Sequence, residues 1–157
     1  MIMEKDELII RKATIDEIDT LMQWRMEVLH NVFSIPDDED TSALEKANLE
    51  YYMKEIPGGG HVACLASLGN EIIGCGGICF YQEMPSPDNH SGKCAYLMNV
   101  YVRSQYRENG FGQNITRWLI KQAKERGITK IYLETSEPGR QMYEQLGFKE
   151  MKDYLKL

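Results

Sequence analysis

Apolar and polar positions alternate along this chain in a way that divides it into ten segments. Leu8 to Arg11 is a short apolar strand. Thr14-Ile15-Asp16-Glu17 follows as a capping box, in which the threonine hydroxyl and the glutamate three residues on satisfy opposite ends of a helix start. Beyond it Ile18, Leu21, Met22, Val28 and Leu29 fall mostly on one side of a helix. Phe33 to Asp40, with Pro36 and a run of acids, breaks that period, and a second helix spans about Thr41 to Glu55. After the loop Pro57-Gly58-Gly59-Gly60 come two strands, His61 to Leu68 and Glu71 to Tyr81, joined by a tight turn at Gly69-Asn70. Met84 to Gly92 is a polar loop, and Lys93 to Val102 is a long strand. Phe111, Ile115, Trp118, Leu119 and Ala123 then recur at helical spacing until Gly127 stops the helix. Ile128 to Thr135 reads as a strand, Pro138 to Leu146 as a helix with proline in its first turn, and Phe148 to Leu157 as closing strand. The order β-α-α-β-β-β-α-β-α-β predicts an α/β (α+β) fold: a mixed, mostly antiparallel sheet of about six to seven strands with helices on both faces.

Composition narrows this without redirecting it. The 157 residues form a single domain, residues 1–157, large enough to bury roughly two thirds of the unfolded surface. Hydrophobic content of 43% and charged content of 27% are those of a globular domain, and no run approaches the roughly 20 apolar residues of a membrane span. Glu4, Asp6 and Glu7 stand where a secretory signal would be basic and then apolar, so a cytoplasmic location and no membrane partner are expected. Cys64, Cys75, Cys79 and Cys94 lie in or beside apolar runs without Cys-x-x-Cys spacing, and His30, His61 and His90 are scattered, so no metal is expected. A net charge of −6 and a pI near 5.1 weigh against a nucleic-acid partner and are compatible with a cationic substrate.

The chemistry concentrates where the long strand ends. Tyr101 to Gly112 reads Tyr-Val-Arg-Ser-Gln-Tyr-Arg-Glu-Asn-Gly-Phe-Gly, a strand running through an Arg-x-x-Gly-x-Gly turn into a helix. Glycines there let the backbone approach an anion, and the first helical N–H groups have no intrahelical partner to satisfy them. Gly112 is followed by Gln113 and Asn114, which rules out a Walker A loop, and Glu108 occupies the first glycine position of a dinucleotide fingerprint.

Taken with Tyr96-Leu97-Met98-Asn99-Val100-Tyr101-Val102 ahead of it, the turn resembles the acetyl-CoA motif of the GNAT superfamily of N-acetyltransferases. A second segment, Met142-Tyr143-Glu144-Gln145-Leu146-Gly147-Phe148 with Gly139 and Arg140 before it, is similar to the later Leu-Tyr-x-x-Leu-Gly-Phe motif of that family. With the element order, the two motifs extend the resemblance from about Leu8 to Tyr154.

The resemblance implies acetyl-CoA as co-substrate and an amine as acceptor. It implies that the backbone of Val100, Tyr101 and Val102 pairs with the pantetheine amides, and that Arg107, Glu108, Asn109, Gly110, Phe111 and Gly112 hold the pyrophosphate. Arg107 either contacts it or braces the turn, Gln113 and Asn114 add donors, and Ser136 either touches the cofactor or caps a helix. Asn109 departs from the lysine or arginine common in the family, at the loss of one charge. Tyr143 matches the general acid that protonates the departing thiolate. Many members carry a glutamate base on the central strand, but Cys94 to Val102 holds no carboxylate. A water relay is therefore expected, with Glu83, Asp88, His90 or Glu134 at a distance and Tyr96 and Asn99 as substrate or water contacts. The acids Asp37 to Asp40 read as a solvated loop or a cation-attracting rim, and Gly74, Gly76 and Gly77 suggest a bulge or a close backbone approach. The expected reaction is direct attack by a small-molecule amine in a ternary complex, without an acyl-cysteine at Cys94. A protein lysine or N-terminal acceptor and a non-catalytic acyl-CoA sensor are the alternatives, and a homodimer is compatible with the family.

Overall fold

The computed structural model describes residues 7–157, so most of the acidic opening stretch read against a signal sequence lies outside it. Within the described residues the order is β1 (Leu8–Lys12), α1 (Ile18–Val32), α2 (Ser42–Glu55), β2 (His61–Leu68), β3 (Glu71–Gln82), β4 (Lys93–Val102), α3 (Phe111–Glu125), β5 (Lys130–Leu133) and α4 (Glu137–Gln145). The capping box is present, but it opens one turn of 3₁₀ helix at Ile15–Glu17 that leads into α1. The sheet has the order β1-β2-β3-β4-β5, antiparallel except for the parallel pair β4 and β5. This is the mixed, mostly antiparallel sheet expected, with five strands in place of six to seven.

The missing strand is the last one. Residues after Gly147 make no ladder with β5, and Leu155 and Leu157 are fully exposed. The reason is visible in the spacing, since Phe148, Met151, Tyr154 and Leu157 recur every third residue where a half-buried strand needs every second. The preceding strand is also shorter than the expected Ile128 to Thr135, because Gly127, at φ 73, and the residues after it complete the turn out of α3.

Two cores flank the sheet. On one face Ile115, Leu119 and Ala123 of α3, all fully buried, pack on Cys64, Ile73 and Leu97. On the other, Leu21, Trp24 and Val28 of α1 and Tyr52 of α2 cover Ala63, Leu65 and Cys75. Two glycines let α3 sit so close: a Cβ on Gly76 would fall 2.7 Å from the Ile115 Cγ2, and one on Gly74 3.2 Å from the Ile115 Cδ1 and 2.7 Å from the Tyr101 carbonyl of β4. These glycines serve close approach, as the sequence suggested, whereas the bulge opposite them belongs to β4. Gly77 pairs with Met98 and Cys75 with Tyr101, so Asn99 and Val100 face the single residue Gly76.

Candidate active site

The bulge decides what β4 shows to each face. Ala95 and Leu97 belong to the core beneath α3, which leaves Tyr96 and Met98 on the face covered by α1 and α2. Asn99, at φ 60, absorbs the extra residue and points to that same face, where its Oδ1 accepts from the Arg25 Nη1 at 2.9 Å. Tyr101 follows on that face, edge-on to Trp24, while Val100 and Val102 return to the α3 side.

The bulge also coincides with a fork. Parallel pairing of β4 with β5 runs from Cys94 to Leu97 and ends where β5 ends, at Leu133. Met98 to Val102 continue with β3 alone. Backbone groups of Val100, Tyr101 and Val102 therefore lie along the open side of a splayed strand, with their side chains committed to the cores. The fork leads straight to the glycine turn.

That turn is braced from within. The Arg107 Nε donates to the Val102 carbonyl at 2.8 Å, with the guanidinium 5.6 Å from the Tyr101 ring centre. The Asn109 amide donates to the carbonyls of Tyr106 and Arg107 at 3.0 and 3.1 Å. Glu108 and Gly110 take left-handed backbone, at φ 67 and 79, and the first α3 hydrogen bond runs from the Asn114 N–H to Gly110. No side chain caps the helix, so the amides of Phe111, Gly112 and Gln113 face outward at the positive end of the helix dipole. A Cβ on Gly110 would meet nothing within 4 Å, which leaves room for a bulky anion. A pyrophosphate fits this cradle, by backbone donors rather than by a lysine or arginine at position 109.

α4 borders the fork on its far side. The Gln113 side chain donates to Gln145 at 2.9 Å, and a Cβ on Gly112 would stand 3.0 Å from the Met142 sulfur. Ser136 takes the N-cap position of α4, exposed and with no side-chain capping bond. Tyr143 lies between α3 and the end of β5, edge-on to Phe148 at 5.9 Å, and lines a groove with Leu133 and Thr135. Burial raises its pKa, with the Thr116 hydroxyl acting the other way, so the phenol stays protonated at neutral pH.

A cavity of about 260 Å³ opens beside the bulge, lined by Arg25, Asn48, Tyr51, Tyr52, His61 and Met98 with Ala47 and Asn99. Of the two residues expected to contact substrate, Asn99 lines it and Tyr96 does not; Tyr96 packs on Tyr132 at 5.1 Å. None of the four distant acid–base candidates lines it. Glu83 is held by the Lys130 ammonium at 2.9 Å, while Asp88, His90 and Glu134 are exposed. Its one imidazole is His61, a ring 3% exposed whose Nδ1 lies 2.8 Å from the Tyr51 hydroxyl. Burial, helped by the charge on Arg25, lowers its pKa to about 4, so it is neutral at pH 7. The acids between α1 and α2 stay outside: Asp40 accepts from the Ser42 N–H at 3.0 Å at the start of α2, and Asp37, Asp38 and Glu39 are exposed. Cys94 is buried, and burial followed by the neighbouring Glu83 raises its pKa, which suits a packing thiol and not a nucleophile.

Arg25, Asn48, Tyr51 and His61 were not foreseen. Arg25 had a signal, because it occupies the core-facing stripe of α1 beside Leu21, Trp24 and Val28, where a charge needs a reason.

The family model described as "Acetyltransferase (GNAT) family" matches residues 18–148. The chain belongs to this family. A crystal structure of a predicted acetyltransferase with acetyl-CoA from Clostridium acetobutylicum superposes with a TM-score of 0.85 at 29% identity, covering 96% of both chains. Among curated proteins, the [ribosomal protein bS18]-alanine N-acetyltransferase of Haemophilus influenzae is 37% identical over 59 residues, 36% of this chain and 40% of the relative. Glucosamine 6-phosphate N-acetyltransferase 1 of Dictyostelium discoideum is 29% identical over 79 residues, 50% of this chain and 48% of the relative. The matched stretches thus span less than half the length of these two curated relatives.

Proposed function

We propose that this GNAT domain moves the acetyl group of acetyl-CoA to a primary amine, by direct attack within a ternary complex. The observation that carries the reading is the meeting of three features at one place: the β4–β5 fork, the outward amides at the start of α3, and the cavity beside Asn99. The backbone of Val100 to Val102 would take the pantetheine arm. The amides of Gly110 to Gln113 would take the pyrophosphate, on a turn that Arg107 and Asn109 hold in shape. The co-substrate supplies an activated thioester, and the chain supplies position and protons. The thioester end of such a ligand would come beside the bulge, next to the cavity. In this reading Tyr143, kept protonated by burial, hands its proton to the departing sulfur. No carboxylate lines the cavity, so the attacking species is an amine that arrives neutral or loses its proton through water past Tyr51 and His61.

A cavity of about 260 Å³ supports a small acceptor over a protein lysine or N-terminus, which would call for an open groove. Calorimetric titration with acetyl-CoA tests the core of the proposal, alongside Gly110→Glu, which puts a carboxylate into the open space of the cradle. Micromolar binding by the wild type, lost in the variant, is the expected result. A folded wild-type protein that binds no acetyl-CoA would end this reading. Binding without acetylation of any amine would leave the acyl-CoA sensor.

A further inference from the structure

Arg25 places a guanidinium in the wall of the acceptor cavity, and no described residue neutralises it. Its Nε donates to the Asn48 Oδ1 at 2.8 Å and its Nη1 to the Asn99 Oδ1 at 2.9 Å. Both partners are uncharged amides, and among the described residues no carboxylate comes within ion-pair distance. Arg103, nearby on the same face, shows what the fold does with an arginine it uses for structure: Glu27 grips it through two bonds of 3.2 and 3.0 Å, and Trp24 stacks beneath it at 4.3 Å. A guanidinium carries five N–H donors, and the two asparagines take two of Arg25's. The rest are left for whatever enters the cavity.

The surroundings sharpen that charge. Ala47, Tyr52 and Met98 give the cavity apolar walls, and His61 is neutral, so among the described residues Arg25 is the one charge lining it. The Glu55 carboxylate lies against the Gly60 turn and is not part of the lining. Asn48 on α2 and Asn99 on β4 fix the guanidinium from two elements, which orients its remaining donors before any ligand arrives. A fixed planar fork in a partly desolvated site matches a carboxylate, and a second cation there meets repulsion.

We propose that Arg25 binds the carboxylate of the acceptor, so that the amines acetylated here are amino acids or similar small carboxylate-bearing amines. The proposal rests on the acetyl-transfer reading above and gives it a substrate class. It runs against the compatibility with a cationic substrate read from the net charge of −6, since no carboxylate among the described residues lines the cavity.

The test compares acceptors that share a side chain and differ at the carboxyl group, such as an amino acid, its carboxamide and the decarboxylated amine, each rate being referred to its neutral-amine fraction, with spermidine and an O-phosphorylated amine as further arms. The wild type should favour the amino acid by about tenfold or more in kcat/KM. Arg25→Gln should bring that ratio close to one, and Arg25→Lys should restore part of it by returning the charge without the fork. Equal use of the three matched acceptors, a preference for spermidine or for the phosphorylated amine, or an unchanged ratio in Arg25→Gln would overturn the proposal. A second arm needs no turnover: N-acetyl-L-alanine and N-acetyl-L-alaninamide are titrated into ¹⁵N-labelled protein while the Arg25 Nε resonance is followed. A saturable shift with the acid alone, absent from the rest of the spectrum in Arg25→Gln, supports the site, and identical responses to acid and amide refute it. Loss of acetyl-CoA binding in calorimetry is the separate sign that the parent reading has failed.

Discussion

Tyr143, partly buried, and His61, fully so, are two neutral titratable side chains whose pKa values move in opposite directions, and each predicts a different measurement. Tyr143→Phe keeps the ring packed on Phe148 and removes the proton donor. The variant should lose about a hundredfold in kcat with the KM for acetyl-CoA unchanged, and a loss confined to KM would remove Tyr143 from the chemistry. His61 is a matter of stability. The unfolded chain takes up its proton near pH 6.5, and the folded chain resists until about pH 4. The unfolded state therefore binds more protons in that window: stability is full above about pH 6.5 and drains away as the pH falls toward 4. His61→Gln should flatten urea midpoints measured across that range, and an unaltered slope would assign the acid sensitivity to other groups.

The elements carry their own predictions, and they show what the sequence could and could not disclose. Gly76→Ala forces a methyl against Ile115 and Leu119, so it should destabilise the protein by about 1–3 kcal/mol in urea titration, through displacement of α3. Gly77→Ala meets the His61 ring at 2.9 Å instead, and should raise the KM of the acceptor more than that of acetyl-CoA. Glycine spacing within β3 announced close approach, and the helical stripe of α3, ending at Gly127, announced both the helix and its stop. The closing strand was misjudged because apolar content was taken as a strand signal without its period. The bulge at Asn99 had no signature at all: its φ of 60 is set by pairing with β3, which a linear reading does not contain. Asn99 lines the cavity all the same, although strict alternation from Tyr96 would have turned it to the opposite face.

At the scale of the whole molecule, the donor half of the candidate site was legible and the acceptor half was not. The donor half is contiguous, from Val100 to Gln113, and its chemistry is backbone chemistry that glycines advertise. The acceptor half is assembled from α1, α2, β2 and β4, from residues as far apart as Arg25 and Asn99, and only the fold brings them together. Its composition predicts a pH–rate profile. With no lining carboxylate among the described residues and with His61 already neutral, log kcat/KM should climb with pH until the acceptor amine itself is deprotonated, at about pH 9–10 for a free amino acid, whose carboxylate holds the ammonium proton more tightly than a peptide terminus does. A plateau reached near pH 6 would instead expose a hidden base.

The bulge at Asn99 has a further consequence in the currency of genetic change. Before it, β4 turns its even-numbered side chains toward α1 and α2; after it, the odd-numbered ones. Losing a single codon at position 99 or 100 would remove the extra residue and leave plain alternation, with Tyr101 still toward Trp24 and Val102 still beneath α3, whereas losing one at position 95 or 96 would turn neighbouring side chains to the wrong face. An in-frame deletion scan read by folding should therefore tolerate the loss of codon 100 better than the loss of codon 95 or 96, with the exposed stretch from Met84 to Asp88 the most forgiving.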